Sequence, residues 1–148
     1  MASGRAITGK AVSINNHRPQ RPVTRRDFEI AVICALPLEA NAVEAVFDHY
    51  WDDDGPPYDK ARGDPNTYST GTVRRHNVIL AYMPGMRKAN AAALAANIWP
   101  SFPNIKLAVI VSVCGCIPLT PDGDEIVLGD VIISDKVVQY DLARQMPE

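Results

Sequence analysis

The sequence lacks the features that mark secreted and membrane-spanning proteins. It has only three cysteines in 148 residues and no apolar leader segment. It also has no run of about eighteen apolar residues, the length that a transmembrane helix requires. A small odd number of cysteines without a leader argues against a disulfide framework. We therefore predict a cytoplasmic chain that contacts no membrane.

Acidic residues are missing from the first 26 positions, and this absence divides the chain. Residues 1–26 hold six of the 15 Lys and Arg residues, so the remainder carries all 17 acids against nine bases. The first segment also lacks apolar periodicity, so it cannot bury enough surface to offset the entropy of ordering. We predict a disordered basic tail over 1–26 and one folded domain over 27–148. The acidic charge of that domain argues against a nucleic-acid partner.

The cysteines and the aspartate cluster are weak candidates for metal ligands. Cys34, Cys114 and Cys116 all lie in or beside the most apolar segments, which favours packing over a catalytic thiol or a metal pair. The run Asp52–Asp54 lacks the alternating ligands, central Gly and distal Glu of a calcium loop. A solvated acidic turn is the better interpretation, and we predict no metal and no cofactor.

Two long segments, each reading as a strand followed by a helix, dominate what the sequence does contain. In "EIAVICALPLEANAVEAVF", the apolar run Glu29–Leu36 predicts a strand covered on both faces, and Pro37 opens a helix that we expect to reach Tyr50. In "VILAYMPGMRKANAAALAANIW", Pro84-Gly85 breaks a strand ahead of a helix over Lys88–Trp99. No Gly-x-Gly-x-x-Gly follows the first strand, so a dinucleotide-binding domain is not indicated.

The remaining segments complete an alternation of strands and helices. Four are predicted from pattern: a surface loop over 51–67, a hairpin beginning at Tyr68 with His76 in its turn, a central buried strand over Ile105–Val113, and a further strand in "VIISDKVVQYD" at 131–141. The order predicts an α/β fold with a mixed, mostly parallel sheet flanked by helices. In such folds small ligands bind where the strands end.

The glycine at position 85 can be interpreted in two ways, as part of a ligand site or as part of an ordinary turn. The break at Pro84-Gly85 places the backbone amides of Met86 to Lys88 at a helix N-terminus, where N–H donors and the helix dipole favour an anion or a sugar hydroxyl. A glycine at this position is equally consistent with plain turn chemistry. Both interpretations stay open on the residues alone.

Taken in order, "VICALPLEA", "TGTVRRHNVILAYMPGMRKANAAALAA" and "LAVIVSVCGCIPLTPDGDEIVLGDVIISD" resemble the purine and uridine nucleoside phosphorylase superfamily. More narrowly, the chain is similar to the nucleoside-phosphorylase-like domains at the N-terminus of NLR-like receptors of filamentous fungi. The resemblance covers Phe28 to Glu148. Its most specific parts are the strand–Gly–helix passage at Gly85 and "LGDVIISD" at Leu128–Asp135.

The resemblance implies cleavage of the N-glycosidic bond of purine nucleosides. Glu39 matches the carboxylate that hydrolytic members place near the attacking water, and it is the expected catalytic base. The residues expected to line the sugar and base side are Gly85, Met86, Val113, Cys114 and Gly115.

Water is expected to be the nucleophile rather than phosphate. Two arginines that grip phosphate in the bacterial phosphorylases correspond here to Glu39 and Ile110. A carboxylate repels a phosphate dianion, and isoleucine cannot compensate. Phosphate as a co-substrate is therefore disfavoured.

The chain also departs from the family, since no segment resembles the C-terminal half that supplies the ribose contact and the acid for the leaving base. We therefore expect the 148-residue chain to be a truncated domain that is inactive alone. The alternative function is a sensing or effector module of an NLR-like receptor that binds a nucleoside or a partner. A homo-oligomer, or a partner that completes the sheet, is expected to cover the open edge.

Overall fold

The computed structural model describes residues 19–85, 88–115, 117–119, 123–134 and 136. Within these residues, five strands and two α-helices follow one another, with short 3₁₀ helices at Arg25–Asp27 and Asp52–Asp54. In order, the main elements are β1 Ile30–Cys34, α1 Pro37–Glu44, β2 His49–Tyr50, β3 Tyr68–Val73, β4 His76–Tyr82, α2 Lys88–Ser101 and β5 Leu107–Val111.

The five strands form one mixed sheet in the order β2-β3-β4-β1-β5. β1 runs parallel to β4 on one side and to β5 on the other, with Cys34 opposite both Tyr82 and Val111. The hairpin β3–β4 and the pair β2–β3 are antiparallel. The predicted α/β class with a mixed sheet is confirmed, as is the hairpin that begins at Tyr68.

Each face of the sheet carries its own apolar cluster. On one face Ile79 and Ile33 pack with Leu94 and Ile98 of α2 and with Trp51. On the other face Cys34, Leu80 and Ala40 of α1 form a smaller cluster. Helices therefore lie on both faces of β1 and β4, as expected for strands with continuous apolar sequence.

The first helix is shorter than predicted. α1 ends at Glu44, and the last two residues expected to continue it, His49 and Tyr50, form β2, which pairs with β3. The Asp48 N–H donates to the Thr72 carbonyl at 2.8 Å, and the Phe47 ring lies over Gly71, where a Cβ would stand only 2.2 Å from a ring carbon. Tertiary pairing with the hairpin thus overrides the helical spacing of the sequence.

The prediction that Ile105–Val113 is central and buried is wrong for its strand residues. β5 lies at one edge of the five-stranded sheet, and its side chains are mostly exposed, including Ile110 at 66%. Among the described residues, β1 is its only strand neighbour. The strand predicted over 131–141 is not found at 131–134, whose residues are exposed and without regular structure, and most of its remainder lies outside the described residues.

Residues 19–26 of the predicted basic tail belong to the folded unit, whereas 1–18 lie outside the described residues. The Arg21 Nε donates to the Trp51 carbonyl at 3.2 Å, and the Tyr58 hydroxyl donates to the Pro22 carbonyl at 2.9 Å. These bonds fix the segment against the 51–67 loop. That loop is less solvated than predicted, because Trp51 is only 1% exposed and Asp52 accepts hydrogen bonds from both the backbone and the hydroxyl of Thr70.

The chain divides between Val113 and Cys114 into two compact units. All seven main elements lie in the first unit. In the second unit, the described residues contain no helix and no strand beyond an isolated antiparallel bridge between Leu119 and Glu125. Across the described residues of both units, no helix is long and apolar enough to cross a bilayer.

Candidate functional site at the carboxyl edge of the sheet

The carboxyl ends of β1, β4 and β5 meet at one edge of the sheet because these three strands are parallel. α1 begins directly after β1, and α2 begins a few residues after β4. Two helix N-termini therefore flank the ends of three parallel strands. This is the edge where open α/β folds bind small ligands.

Glu39 lies at the centre of this edge and is almost completely buried, with 4% of its surface exposed. Its Oε2 accepts hydrogen bonds from the backbone N–H groups of Ala35 at 3.0 Å and Leu36 at 2.9 Å. Its Oε1 accepts from the backbone N–H of Val113 at 3.0 Å. The carboxylate thus joins the turn after β1 to the residue that follows β5 by two positions.

These contacts determine the ionisation of Glu39. The backbone N–H of Val113, then that of Leu36, holds the pKa of the Glu39 carboxyl below its ordinary value, against the opposing effect of burial. The Ala35 N–H and the Ser112 hydroxyl act in the same direction. Because hydrogen bonds to the charged form favour it, Glu39 is a buried carboxylate at neutral pH.

Part of this arrangement is readable from the sequence. Leu36 is the N-cap residue of α1, Pro37 follows it, and Glu39 occupies the third helical position. A glutamate there commonly reaches back to the N-cap N–H. The contact with Val113 is different, since it joins residues 74 positions apart, and no local pattern predicts it.

Gly85 lies where predicted, between the end of β4 and the start of α2. Its carbonyl accepts a hydrogen bond from the Asn90 side chain at 3.2 Å, and a Cβ at Gly85 would meet that same side chain at 3.0 Å. The glycine therefore permits a close contact between the turn and the first helical turn. Met86, predicted to line the site, lies outside the described residues.

The other predicted site residues fall in different places. Val113 is brought to Glu39 through its backbone N–H, while its side chain is 67% exposed. Cys114 and Gly115 belong to the second unit, where Cys114 is exposed, so its predicted burial is wrong. Their proposed role in lining the site stays a prediction.

Sequence reasoning did not single out Ser112 or the pair Tyr82–Glu44. The Ser112 hydroxyl is within hydrogen-bonding reach of the Glu39 carboxylate and also donates to the Val113 carbonyl at 3.2 Å. The Tyr82 hydroxyl donates to Glu44 at 2.5 Å, and burial raises the pKa of Tyr82 above its ordinary value. The edge therefore holds a second carboxylate on α1.

Cys34 ends β1 beside these groups and is fully buried. Burial, together with the charge of Glu39, raises the pKa of the Cys34 thiol to about 11. A thiol of that kind is not a nucleophile at neutral pH, so Cys34 serves packing. Among the described residues, no group of three or more His, Cys, Asp or Glu side chains is arranged to hold a metal ion.

The fold is that of an α/β domain, and this edge is its candidate ligand site. Residues 29–148 match the phosphorylase superfamily, and the chain belongs to that superfamily. It is also 30% identical over 125 residues to a nucleotide-binding leucine-rich repeat (NLR)-like protein of Hyaloscypha variabilis. That match covers 80% of this chain but 12% of the relative, so the chain spans only a small part of the relative's length. No solved structure matches the chain.

Proposed function

We propose that this domain binds a purine nucleoside at the carboxyl edge of the sheet and cleaves its N-glycosidic bond, with water favoured over phosphate as the nucleophile. Membership of the phosphorylase superfamily supports the reaction class. The observation that carries the choice of nucleophile is Glu39, a buried carboxylate fixed by backbone donors where β1 and β5 end.

Glu39 acts on this proposal through its charge and its hydrogen-bonding capacity. Because the pKa of Glu39 lies below the ordinary value, the side chain stays ionised. The carboxylate then holds a water molecule by accepting a hydrogen bond from one of the water's O–H groups. The transition state of glycosidic cleavage carries positive charge on the sugar, and a fixed carboxylate stabilises such charge. The bond from C1′ to the base breaks as the water oxygen bonds to C1′. The base leaves with the bonding electron pair and takes up a proton from solvent, and the water releases one of its protons to solvent.

Electrostatics at this edge argue against phosphate. A dianion beside a buried carboxylate is repelled, and none of the four residues that hydrogen-bond Glu39 is basic. Ile110, at the position of a second phosphate-gripping arginine in the resemblance, is an exposed apolar residue of β5.

The Ser112 hydroxyl supplies the place for a water. A carboxylate offers about four acceptor positions, and three backbone N–H groups occupy three of them. The Ser112 hydroxyl is a further donor near the Glu39 carboxylate, and its single proton has an alternative acceptor in the Val113 carbonyl. When Ser112 donates to that carbonyl, one position on Glu39 is open to water.

A second candidate function has its own supporting observation. The three backbone hydrogen bonds that Glu39 accepts cap the start of α1 and attach the residue after β5 to that helix. A purely structural role of Glu39 is enough to explain them. On this view the domain senses a nucleoside without turning it over. The similarity to an NLR-like protein is consistent with such a module.

One experiment distinguishes the two. Release of free base from adenosine and inosine is measured with and without phosphate, for the wild-type chain, Glu39→Gln and the matched control Glu125→Gln. Hydrolysis predicts phosphate-independent release that falls about 100-fold or more in Glu39→Gln, the usual size of a lost acid–base group, and is unchanged in Glu125→Gln.

Thermal melts of the same three proteins supply the second readout. A nucleoside-dependent rise in Tm without base release supports sensing, because ligands that bind only the native state stabilise it. Release that requires phosphate overturns the choice of water. Neither a rise in Tm nor base release with any nucleoside would overturn both candidates for the 148-residue chain and would agree with the expectation that this chain is inactive alone.

A further inference from the structure

A basic groove lies at the opposite end of β1, among the residues that precede the strand. It has a volume of about 470 Å³ and is lined on one side by Arg21, Arg25 and Arg26 and on the other by the Pro56–Asp59 segment. That volume is within the range of small-molecule pockets. The lining contains three arginines and one acidic residue, Asp59.

Arg21 forms a fixed wall of this groove. Its Nε donates to the Trp51 carbonyl at 3.2 Å, and its Nη2 donates to the Pro56 carbonyl at 2.5 Å. The guanidinium carbon lies 4.4 Å from the centre of the Tyr58 ring, within the range of a cation–π contact. Arg21 thus keeps its charge at the groove while two of its five N–H donors bond neutral acceptors.

Arg25 is bonded less completely. Its Nη1 is buried, and no hydrogen-bond acceptor reaches it among the described residues. A buried cationic donor without an acceptor costs free energy, so such groups are normally paired. The nearby Asp27 carboxylate does not pair with it, since Asp27 accepts instead from the Thr24 N–H at 2.8 Å and the Thr24 hydroxyl at 3.2 Å.

We propose that this groove binds a small molecule bearing phosphate or carboxylate groups, with Arg25 as the principal contact and Arg26 as the second. A planar guanidinium matches both oxyanions in bidentate geometry. Tyr58 and Arg21 form the wall that closes the site. Arg25 is partly exposed and lines the groove, so the occupant pairs with the charge of its guanidinium.

This site is independent of the proposed function at Glu39. Arg25 and Glu39 lie before and after β1, and five residues of strand span about 15–20 Å. The carboxylate that repels phosphate at the carboxyl edge is therefore far from the basic groove. Failure of nucleoside cleavage would leave this proposal untouched.

Calorimetric titration of the 148-residue chain with pyrophosphate and, separately, with citrate tests the proposal at constant ionic strength. The variants are Arg25→Gln, Arg26→Gln and the control Arg75→Gln. Arg75 is exposed in the β3–β4 turn and does not line the groove. The Arg75→Gln substitution therefore removes the same charge as the other two variants, away from the site. We expect saturable binding of at least one probe, weakened about tenfold or more by Arg25→Gln and little changed by Arg75→Gln.

The two probes distinguish phosphate from carboxylate recognition, and preference for either supports the site. Equal weakening by Arg25→Gln and Arg75→Gln would show a general effect of net charge and would overturn the proposal. The absence of saturable binding for both probes would do the same. Unfolding midpoints of all variants confirm that each chain is folded, and Arg26→Gln provides a second measurement if Arg25→Gln does not fold.

Discussion

β4 and β5 flank the same central strand, yet they have opposite surroundings. Both are short runs of apolar residues, "HNVILAY" and "LAVIV", and both pair in parallel with β1. In β4, Ile79 and Leu80 are completely buried, whereas Leu107 and Ile110 of β5 are more than half exposed. Apolar composition therefore identifies a strand but does not say how deeply it is buried.

The difference follows from what lies on each side of the strand. β4 has β1 and β3 as neighbours, and apolar clusters involving α1 and α2 cover its two faces. β5 has one neighbour among the described residues and is tied at its end by the bond from the Val113 N–H to Glu39. We infer that β4 carries the stability of the sheet, while β5 depends on local anchoring.

The sharpest test of this comparison uses the same substitution in both strands. Ile79→Ala removes a fully buried side chain and should lower the free energy of unfolding by about 2–5 kcal/mol, the usual cost of such a cavity. Ile110→Ala removes a side chain that is 66% exposed and should change it by less than about 1 kcal/mol. Urea denaturation measures both.

Because both variants replace isoleucine by alanine in a strand, the same atoms are removed, and the difference between the two losses reports the burial and the edge or central position of each strand. Similar losses for the two would show that β5 is as well covered in solution as β4, and the contrast between the strands would be lost.

Cys34 reports whether the β5 side of the sheet opens. Its thiol is buried against Leu80 and Ala40, with Val111 of β5 packed beside it, and its pKa is raised to about 11. Against an ordinary thiol the shift alone lowers the thiolate fraction roughly 100-fold. In a Cys114→Ser, Cys116→Ser variant, Cys34 should react with a disulfide reagent at pH 8 at least about 100 times more slowly in buffer than in denaturing urea.

Reaction in buffer at a rate close to that in urea would mean that β5 separates from β1 on the time scale of the assay. A variant with Cys34→Ser as well, which retains none of the three cysteines, gives the background rate.

The sequence predicted the parts of the fold that depend on local pattern. The apolar run of β1, the hairpin β3–β4 and the passage through Gly85 into α2 all lie where periodicity and turn residues place them. The end of α1 and the exposure of β5 were predicted wrongly, because both depend on which distant strand supplies a neighbour. The sheet topology determines that His49 and Tyr50 pair with β3 and that β5 lies at the edge. Neither feature can be predicted from the local sequence.

The candidate site divides in the same way. Glu39 was identified from the sequence, and its bond to the Leu36 N–H follows a known capping pattern. Its bond to Val113 and the unpaired nitrogen of Arg25 arise from contacts between distant segments, so sequence alone could not reveal them.

The smallest expected effect on the free energy of unfolding concerns the hydrogen bond between Glu39 and the Val113 N–H, which follows β5. Glu39→Gln replaces a carboxylate that accepts three backbone bonds with an amide that has one acceptor oxygen, so it should lower the free energy of unfolding, though by less than Ile79→Ala. Glu125→Gln, at an exposed position in the second unit, is the matched control and should leave stability unchanged.

The pH dependence of this loss separates charge from packing. The pKa of Glu39 is lower in the folded chain than in the unfolded one, so its ionised form adds stability above the unfolded pKa of about 4.3, and this contribution disappears as pH falls through the folded pKa. The gap between the wild-type chain and Glu39→Gln should therefore be constant from pH 6 to 8 and close below about pH 4. Glu29, whose pKa is also lowered, titrates in both proteins and cancels in the difference. A gap that persists unchanged to acid pH would mean that the shape of the side chain, and not its charge, joins β5 to the turn after β1.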